Sequence, residues 1–287
     1  MRLNLIASVF AALVLLIGTG EASELRGTLA KIKKSGVITV GHRDDAVPYS
    51  YLDEKQVPVG YSIDVCREII KQISKVVGRE VKVQYLSANS QTRIPLFANG
   101  TIDLDCGNAF QTIARMRQVD YSIPIYFSSE RFLVMKQSAI NDIDDLKGKK
   151  VAVIQGTSAD KFFTDRVASQ KVDIGLLRVR EISDGFMALS TGRVDALTSD
   201  DVMLNSMIQR YPEGKDMHVV GKPYEVSPLG LLLRQDDSQF RLVVDAALSS
   251  QIASGELSKM MDKWFTSIGV TPDPAQQSAF RFIAIPD

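Results

Sequence analysis

The sequence has few of the residues that build metal centres. Its 287 residues include only two cysteines and two histidines. His42 and His218 are well separated in the chain, and together with two cysteines they do not provide a cluster of ligands with the spacing of a metal site. We therefore predict neither a bound metal nor another cofactor.

The sequence also lacks an excess of either charge. Lys plus Arg and Asp plus Glu each total 34, whereas proteins that bind nucleic acid usually carry a basic surplus. The composition, 45% hydrophobic and 24% charged, is that of a soluble protein with enough residues for two domains of about 100–150 residues. We predict no nucleic-acid partner, and we look for a ligand site in local groups of residues.

No apolar run is long enough to cross a bilayer. The mainly apolar stretch of residues 5–17 is shorter than the ~20 residues that a spanning helix needs. It follows Arg2 and precedes Gly20 and Ala22, two small residues in the pattern of a cleavage site. We predict a cleavable secretory signal over residues 1–22, with an uncleaved membrane anchor as the alternative. The mature protein is then exported and soluble.

The two cysteines, Cys66 and Cys106, are candidates for a disulfide. Export places them in an oxidising compartment, where an even number of cysteines suggests pairing. Such a bridge would stabilise the protein by roughly 4 kcal/mol in the chain-entropy model. The alternative is a pair of buried thiols, because Cys66 falls on the apolar face of a predicted helix and Cys106 falls in a predicted strand.

Residues 101–126 predict a strand that leads into an anion site. Apolar and polar residues alternate up to Gly107, and residues 108–111 follow as a polar loop. Thr112 can cap a short helix that places Arg115 one turn from its start. A guanidinium beside free backbone N–H groups suits a carboxylate. The alternative is that Arg115 is a solvated surface charge.

Strands alternate with helices in both halves of the chain, which predicts an α/β fold with ligands beyond the carboxyl ends of the strands. A weak internal repeat supports two similar halves. Residues 97–103 match residues 189–195 in having a helix end, a glycine and then a strand. Polar residues follow each copy, at 108–115 in the first and at Asp200 in the second. Two lobes that present such residues would form a cleft between them.

Seven motifs are spread over nearly the whole mature chain: Gly41-His-Arg43, Gly60-Tyr-Ser-Ile-Asp64, Ser90-x-x-Arg93-Ile-Pro-Leu, Asn99-Gly-Thr-Ile-Asp103, Cys106-Gly107, Arg115-x-x-x-Val119-Asp-Tyr-Ser122 and Ser199-Asp-Asp201. Together they resemble the periplasmic amino-acid-binding proteins of ABC importers, the family 3 solute-binding proteins. The resemblance is closest to the glutamate/aspartate-binding branch. It implies a two-lobed type II periplasmic-binding-protein fold, in which each lobe has a central sheet flanked by helices.

The resemblance also implies how the lobes are divided and what they do. Lobe 1 comprises residues 23–128 and 229–287, lobe 2 comprises residues 129–228, and two crossing segments near residues 126–131 and 224–231 form a hinge. The expected protein is a periplasmic monomer without catalytic activity. It would capture an amino acid between the lobes and deliver it to an ABC permease in the inner membrane.

Roles for individual residues follow from the same resemblance. Arg115 is similar to the arginine that binds the α-carboxylate, Asp200 to the carboxylate that binds the α-ammonium group, and Thr157 to a second-lobe contact for the α-carboxylate. The resemblance places five more residues around the ligand: Arg43, Ser90, Arg93, Asn108 and Phe110. Three arginines against one aspartate would suit a zwitterion that carries one extra negative charge.

Three positions depart from the acidic branch, which usually has Ser and Thr where this chain has Asn108 and Phe110, and His where it has Ile182. Phe110 keeps its backbone N–H but lacks a hydroxyl, and Ile182 removes a donor for the distal carboxylate of the ligand. These changes leave amino-acid binding intact. They open the specificity to an amide side chain or to a larger dicarboxylate-like amino acid.

Two other functions are compatible with the scaffold. One is an exported enzyme, such as a lyase or dehydratase that acts on an amino acid, although the sequence shows no Ser-His-Asp arrangement and no clearly spaced pair of catalytic carboxylates. The other is the ligand-binding subunit of a sensor, which would require a separate signalling partner. Turnover of an amino acid would distinguish the enzyme from the receptor.

Overall fold

The structure is a computed structural model that describes residues 24–170, 172–271 and 274–286. The predicted signal, residues 1–22, lies outside the described residues. Within those ranges, none of the helices combines the length and the apolar character that crossing a bilayer demands.

Strands and helices alternate through the described residues. The strands are β1 (Val37–His42), β2 (Asp45–Ala46), β3 (Ser50–Leu52), β4 (Pro58–Val59), β5 (Lys82–Ser87), β6 (Leu104–Phe110), β7 (Asp120–Tyr121), β8 (Tyr126–Met135), β9 (Lys149–Ile154), β10 (Ile174–Val179), β11 (Ala196–Asp200) and β12 (Met217–Leu233). The helices are α1 (Gly27–Ser35), α2 (Tyr61–Val77), α3 (Arg93–Ala98), α4 (Ile113–Met116), α5 (Ser158–Gln170), α6 (Ile182–Ser190), α7 (Asp201–Arg210), α8 (Ser238–Ala253), α9 (Glu256–Phe265) and α10 (Pro274–Ile283). Single 3₁₀ turns occupy Ile143–Leu146, Pro212–Asp216 and Thr266–Ile268.

The larger sheet has the strand order β10-β9-β11-β8-β12-β6-β1-β5, with β7 also paired to β12. β1 pairs in parallel with β5 and β6, and β9 pairs in parallel with β10 and β11. β8 and β12 run antiparallel to their neighbours and lie between the two parallel groups. This α/β architecture, two parallel groups bridged by an antiparallel pair, confirms the predicted fold class.

The bridging strands coincide with the two predicted crossing segments. β8 and β12 pair along the register from Glu225↔Glu130 to Leu229↔Tyr126. From Leu229 onwards β12 also pairs with β6 of the first parallel group. Each strand therefore passes from one parallel group to the other, which is the arrangement that a hinge between two lobes requires. The exact lobe borders stay a prediction.

Helix α2 packs against the first parallel group and joins it to α8. Ile63, Ile69 and Ile73 of α2 are fully buried in the core, and the helix packs against β6 and α8. A disulfide between Cys66 of α2 and Cys106 of β6, with 6.2 Å between the Cα atoms, joins the helix to the sheet. In the second parallel group, α6 packs against β9 and β11.

One local prediction near the site was wrong. Residues 108–111 were expected to form a loop, but β6 continues to Phe110 because its end pairs with β12 at Leu229↔Phe110 and Gly230↔Ala109. Neighbouring positions of the same parity on a strand point to the same face. Asn108 and Phe110 are therefore presented together on one face of β6.

Candidate functional site

A cavity lies between the two parallel groups and is lined by residues from both of them. We call its two sides the first wall and the second wall. The first wall consists of Arg43, Ser90, Arg93, Asn108, Phe110 and Arg115. The second wall consists of Glu130, Ile154, Thr157, Ser158, Ser199, Asp200 and Met203. All eight residues that the sequence placed around the ligand are brought together here.

The strand ends explain why these residues meet. Arg43 directly follows β1, Ser90 follows β5, and Asn108 lies near the end of β6. Because β1, β5 and β6 are parallel neighbours, their carboxyl ends lie at one edge of the sheet. The same rule brings Thr157, which follows β9, close to Asp200 at the end of β11.

Arg115 connects the two walls at the cleft edge. Thr112 caps α4 as predicted, because its hydroxyl accepts a hydrogen bond from the Arg115 backbone N–H at 3.3 Å. The guanidinium donates to the Phe110 carbonyl and, across the cleft, to the Gly156 carbonyl, both at 3.0 Å. Arg115 is thus held in place by carbonyl groups from both sides of the cleft, and it lines the cavity.

Arg93 is the most deeply buried guanidinium of the first wall, with 2% of its surface exposed. Its Nε and Nη1 atoms make no hydrogen bond to any described residue, and Asp105 Oδ2 is 4.0 Å from Nη1. Burial, followed by repulsion from Arg115, lowers the pKa of Arg93 to about 9. A buried cation with unused donors is costly unless an anion meets it, and the Asp105 carboxylate meets that need only at this longer distance of 4.0 Å.

Arg43 is already paired within the protein. Its Nη1 donates to Ser90 Oγ at 2.9 Å, and its Nη2 donates to Glu181 Oε2 at 2.7 Å. Glu181 also caps α6 in a capping box with Asp184. The sequence comparison placed Ile182 where the acidic branch has a histidine donor for the ligand. Ile182 is fully buried in the hydrophobic core and does not line the cavity. The neighbouring Glu181 reaches Arg43 instead.

Asp200 begins α7 and faces the first wall. Its Oδ1 accepts from the backbone N–H groups of Val202 and Met203 at 2.9 and 3.1 Å. The hydroxyl of Tyr49 donates to Oδ2 at 3.1 Å. Burial, followed by repulsion from Asp201, raises the pKa of Asp200 to about 7. An adjacent cation would favour its ionised form.

The comparison with known families agrees with this geometry. The sequence model of the bacterial extracellular solute-binding proteins, family 3, matches residues 38–267. The chain belongs to this family. The resemblance inferred from the motifs is therefore confirmed.

Two relatives and one solved structure extend the comparison. The chain is 39% identical to the L-glutamate/L-aspartate-binding protein of Pseudomonas aeruginosa, over 85% of this chain and 82% of that protein. It is 34% identical to the glutamate/aspartate import solute-binding protein of Escherichia coli, over 92% of this chain and 89% of that protein. The cysteine-binding protein from Campylobacter jejuni has a TM-score of 0.77 and 25% identity, covering 88% of this chain and 98% of its own.

In this family 3 chain, Glu130 is a site residue that the sequence reasoning missed. It lies on β8 with 4% of its surface exposed. Its Oε1 accepts from Ser158 Oγ at 3.3 Å, and its Oε2 makes no hydrogen bond to a described residue. The sequence pattern could have indicated it. Glu130 lies an even number of positions from the buried Tyr126 and Phe132, so all three side chains are on the same, inward face of β8.

The charge balance of the site differs from the one expected. The sequence suggested that three arginines and one aspartate are the charged residues of the site. The structure places additional acidic residues beside them. Arg43 is paired with Glu181, Asp105 lies near Arg93, and Glu130 stands on the second wall. The site therefore separates the charges, with guanidinium groups on the first wall and carboxyl groups on the second, and does not carry a large positive surplus.

Proposed function

We propose that this chain is the substrate-binding component of an ABC importer, which captures an acidic or related polar amino acid and delivers it to a membrane permease. One observation carries the proposal. Buried groups of opposite charge face the same small cavity from its two walls, with unused donors on Arg93 and a carboxylate on Asp200. A zwitterion is the ligand that neutralises both walls at once.

The residues suggest an orientation for the ligand. Arg115 and the start of α5 at Thr157 bind the α-carboxylate, and Asp200 binds the α-ammonium group. The side chain then extends toward Arg93 and Ser90, where a carboxylate or an amide oxygen accepts their hydrogen bonds. Because Arg43 is shared with Glu181, the distal site is less positive than three free arginines would make it. Both acidic and amide side chains suit this arrangement.

Contacts across the cleft support a closing motion of the two lobes. Arg43 meets Glu181, and Arg115 meets the Gly156 carbonyl. Each contact joins residues that the predicted borders assign to different lobes. Closure would bury the ligand, and the closed surface is what a permease would bind. We propose that the protein works as a monomer in the periplasm after removal of residues 1–22.

The screening experiment is a thermal shift assay of the purified mature protein against the twenty common amino acids. A ligand at 100 times its Kd adds about 2.7 kcal/mol of stability, which is readily measured. We expect glutamate, aspartate or their amides to raise Tm, and nucleotides and sugars to leave it unchanged. A protein that no amino acid stabilises would contradict the proposal.

An enzyme on the same scaffold is the second candidate. The observation that favours it is Glu130, because a buried carboxyl group in a cavity is suited to act as a general acid. Incubating the protein with the amino acids that raise Tm, and following product by NMR, tests this candidate. We expect no product, and turnover would favour a lyase or dehydratase over a transport receptor.

A further inference from the structure

Three carboxyl groups lie side by side on neighbouring strands of the second parallel group and the bridge. In the strand register, Asp200 of β11 lies opposite Glu130 of β8, and Glu130 in turn lies opposite Glu225 of β12. Directly opposite residues on antiparallel strands place their Cβ atoms about 4.5–5.5 Å apart on the same face. We call these three residues the carboxylate row. Like charges at this spacing repel one another.

Within the described ranges of the chain, no Lys, Arg or His forms an ion pair with the carboxylate row. The ion pairs formed among the described residues involve other acids, such as Glu181 with Arg43 and Asp103 with Lys31. No set of three or more Asp, Glu, His or Cys side chains in the described part of the chain is arranged to hold a metal ion. The repulsion within the row must therefore be relieved by protons or by a ligand that carries positive charge.

The members of the row differ in how much hydrogen-bonding capacity they have left. A carboxylate has about four lone-pair positions. Asp200 already accepts from Val202 N–H, Met203 N–H and the Tyr49 hydroxyl. Glu130 accepts from Ser158 alone. Its Oε2 atom is buried without a partner among the described residues, although Glu130 lines the cavity.

We propose that Glu130 is a ligand-binding residue that accepts a hydrogen bond from the ammonium group of the bound amino acid. This inference rests on the proposed function and deepens it. The ammonium group lies between Glu130 and Asp200, so that its protons serve two carboxylates on adjacent strands. The site consequently favours ligands with a free amino group. Dicarboxylates without an amino group and N-acylated amino acids fit the first wall but leave Glu130 unpaired.

The test compares Glu130→Gln with Glu225→Gln. Glutamine preserves the size of Glu130 and removes its charge. Glu225 is the matched control, because it lies opposite Glu130 in the row but does not line the cavity. Dissociation constants are measured by calorimetry at pH 8 for L-glutamate and its desamino analogue glutarate, with L-glutamine and glutaramate as a second pair.

Hydrogen bonds to charged groups are among the stronger ones in proteins, so we expect Glu130→Gln to weaken amino-acid binding at least about tenfold. Binding of the desamino analogues changes by less than about threefold, and Glu225→Gln weakens none of the affinities by more than about threefold. The Tm of ligand-free Glu130→Gln stays equal to that of the wild type or rises, because repulsion within the row is relieved. That measurement separates a lost contact from a damaged fold.

Two outcomes would overturn the inference. If wild-type protein binds an amino acid and Glu130→Gln binds it equally well or more tightly, Glu130 is not an acceptor for the ammonium group, while the proposed function stands. This result would also arise if Glu130 acted as a protonated donor, a role that glutamine can imitate. If no amino acid binds the wild-type protein, the proposed function fails and the inference fails with it.

Discussion

Glu181 sets how much positive charge a ligand side chain meets. Its carboxylate accepts from Arg43 at 2.7 Å and is about one-fifth exposed. Glu181→Gln would release Arg43 from this ion pair, so that the guanidinium could bind the distal group of the ligand. We expect the affinity ratio of L-glutamate to L-glutamine to rise at least about threefold, because a charge-assisted bond to a carboxylate is stronger than one to an amide.

Calorimetry with both ligands measures this ratio, and Asp184→Asn serves as the control. Asp184 belongs to the same capping box but does not line the cavity. A ratio that is unchanged in Glu181→Gln, or that falls, would show that Arg43 does not contact the ligand side chain.

The ionisation of Asp200 should make ligand affinity depend on pH. Its pKa is raised to about 7 in the structure, where the cleft is closed around it, above the value of an unfolded chain. The folded protein therefore holds an extra proton between about pH 4 and 7, and this group's contribution to stability is lost as pH rises through that window. An ammonium ligand needs the ionised form. Affinity should thus fall by up to roughly tenfold for each pH unit below 7.

Titration calorimetry between pH 5.5 and 8 checks this dependence. Glu130 acts in the same direction, because burial and repulsion from Asp200 and Glu225 raise its pKa well above the usual value. Binding should release protons, and the heat measured in buffers of different ionisation enthalpy would reveal them. An affinity that is constant over this range would contradict the role given to Asp200.

At the scale of residues, the sequence located the groups that follow strand ends but not the pairs that form across the cleft. Arg115 could be placed because Thr112 signals a helix start a few residues earlier. Glu181 and Glu130 could not be assigned in the same way. Their roles depend on the approach of α6 to Arg43 and on the register between β8 and β11, which are contacts between distant parts of the chain.

At the scale of elements, a disulfide joins α2 to β6 in the first parallel group. It joins residues separated by 40 positions, and the chain-entropy model gives a loss of roughly 4 kcal/mol when such a bridge is removed. We expect the Cys66→Ser/Cys106→Ser double variant to unfold at a clearly lower urea concentration than the wild type. Equal unfolding midpoints, with m-values unchanged, would show that the bridge contributes nothing to stability.

The alternation of strands and helices could be predicted because each element carries its own apolar period. The residues at which strands and helices end were harder to predict. β6 extends to Phe110 only because β12 supplies hydrogen-bonding partners for its last residues. Asn108 and Phe110, which the sequence placed in a loop, lie instead at the end of this strand and line the cavity.

At the scale of the whole molecule, two bridging strands connect the halves and the walls touch across the cleft. Since the contacts of Arg115 with Gly156 and of Tyr49 with Asp200 span the cleft, the structure corresponds to a closed arrangement. We expect small-angle X-ray scattering to show a smaller radius of gyration with ligand than without it. Identical scattering curves at saturating ligand would argue against hinge closure.

The proposed function requires an amino acid to be held between guanidinium groups of the first wall and carboxylates of the second wall. A crystal structure of the protein with its bound amino acid is the decisive experiment. We predict a ligand carboxylate within hydrogen-bonding distance of Arg115 or Arg93, and the ammonium group between Asp200 and Glu130. An amino acid bound outside the cleft, or bound with its ammonium group toward the arginines, would contradict it.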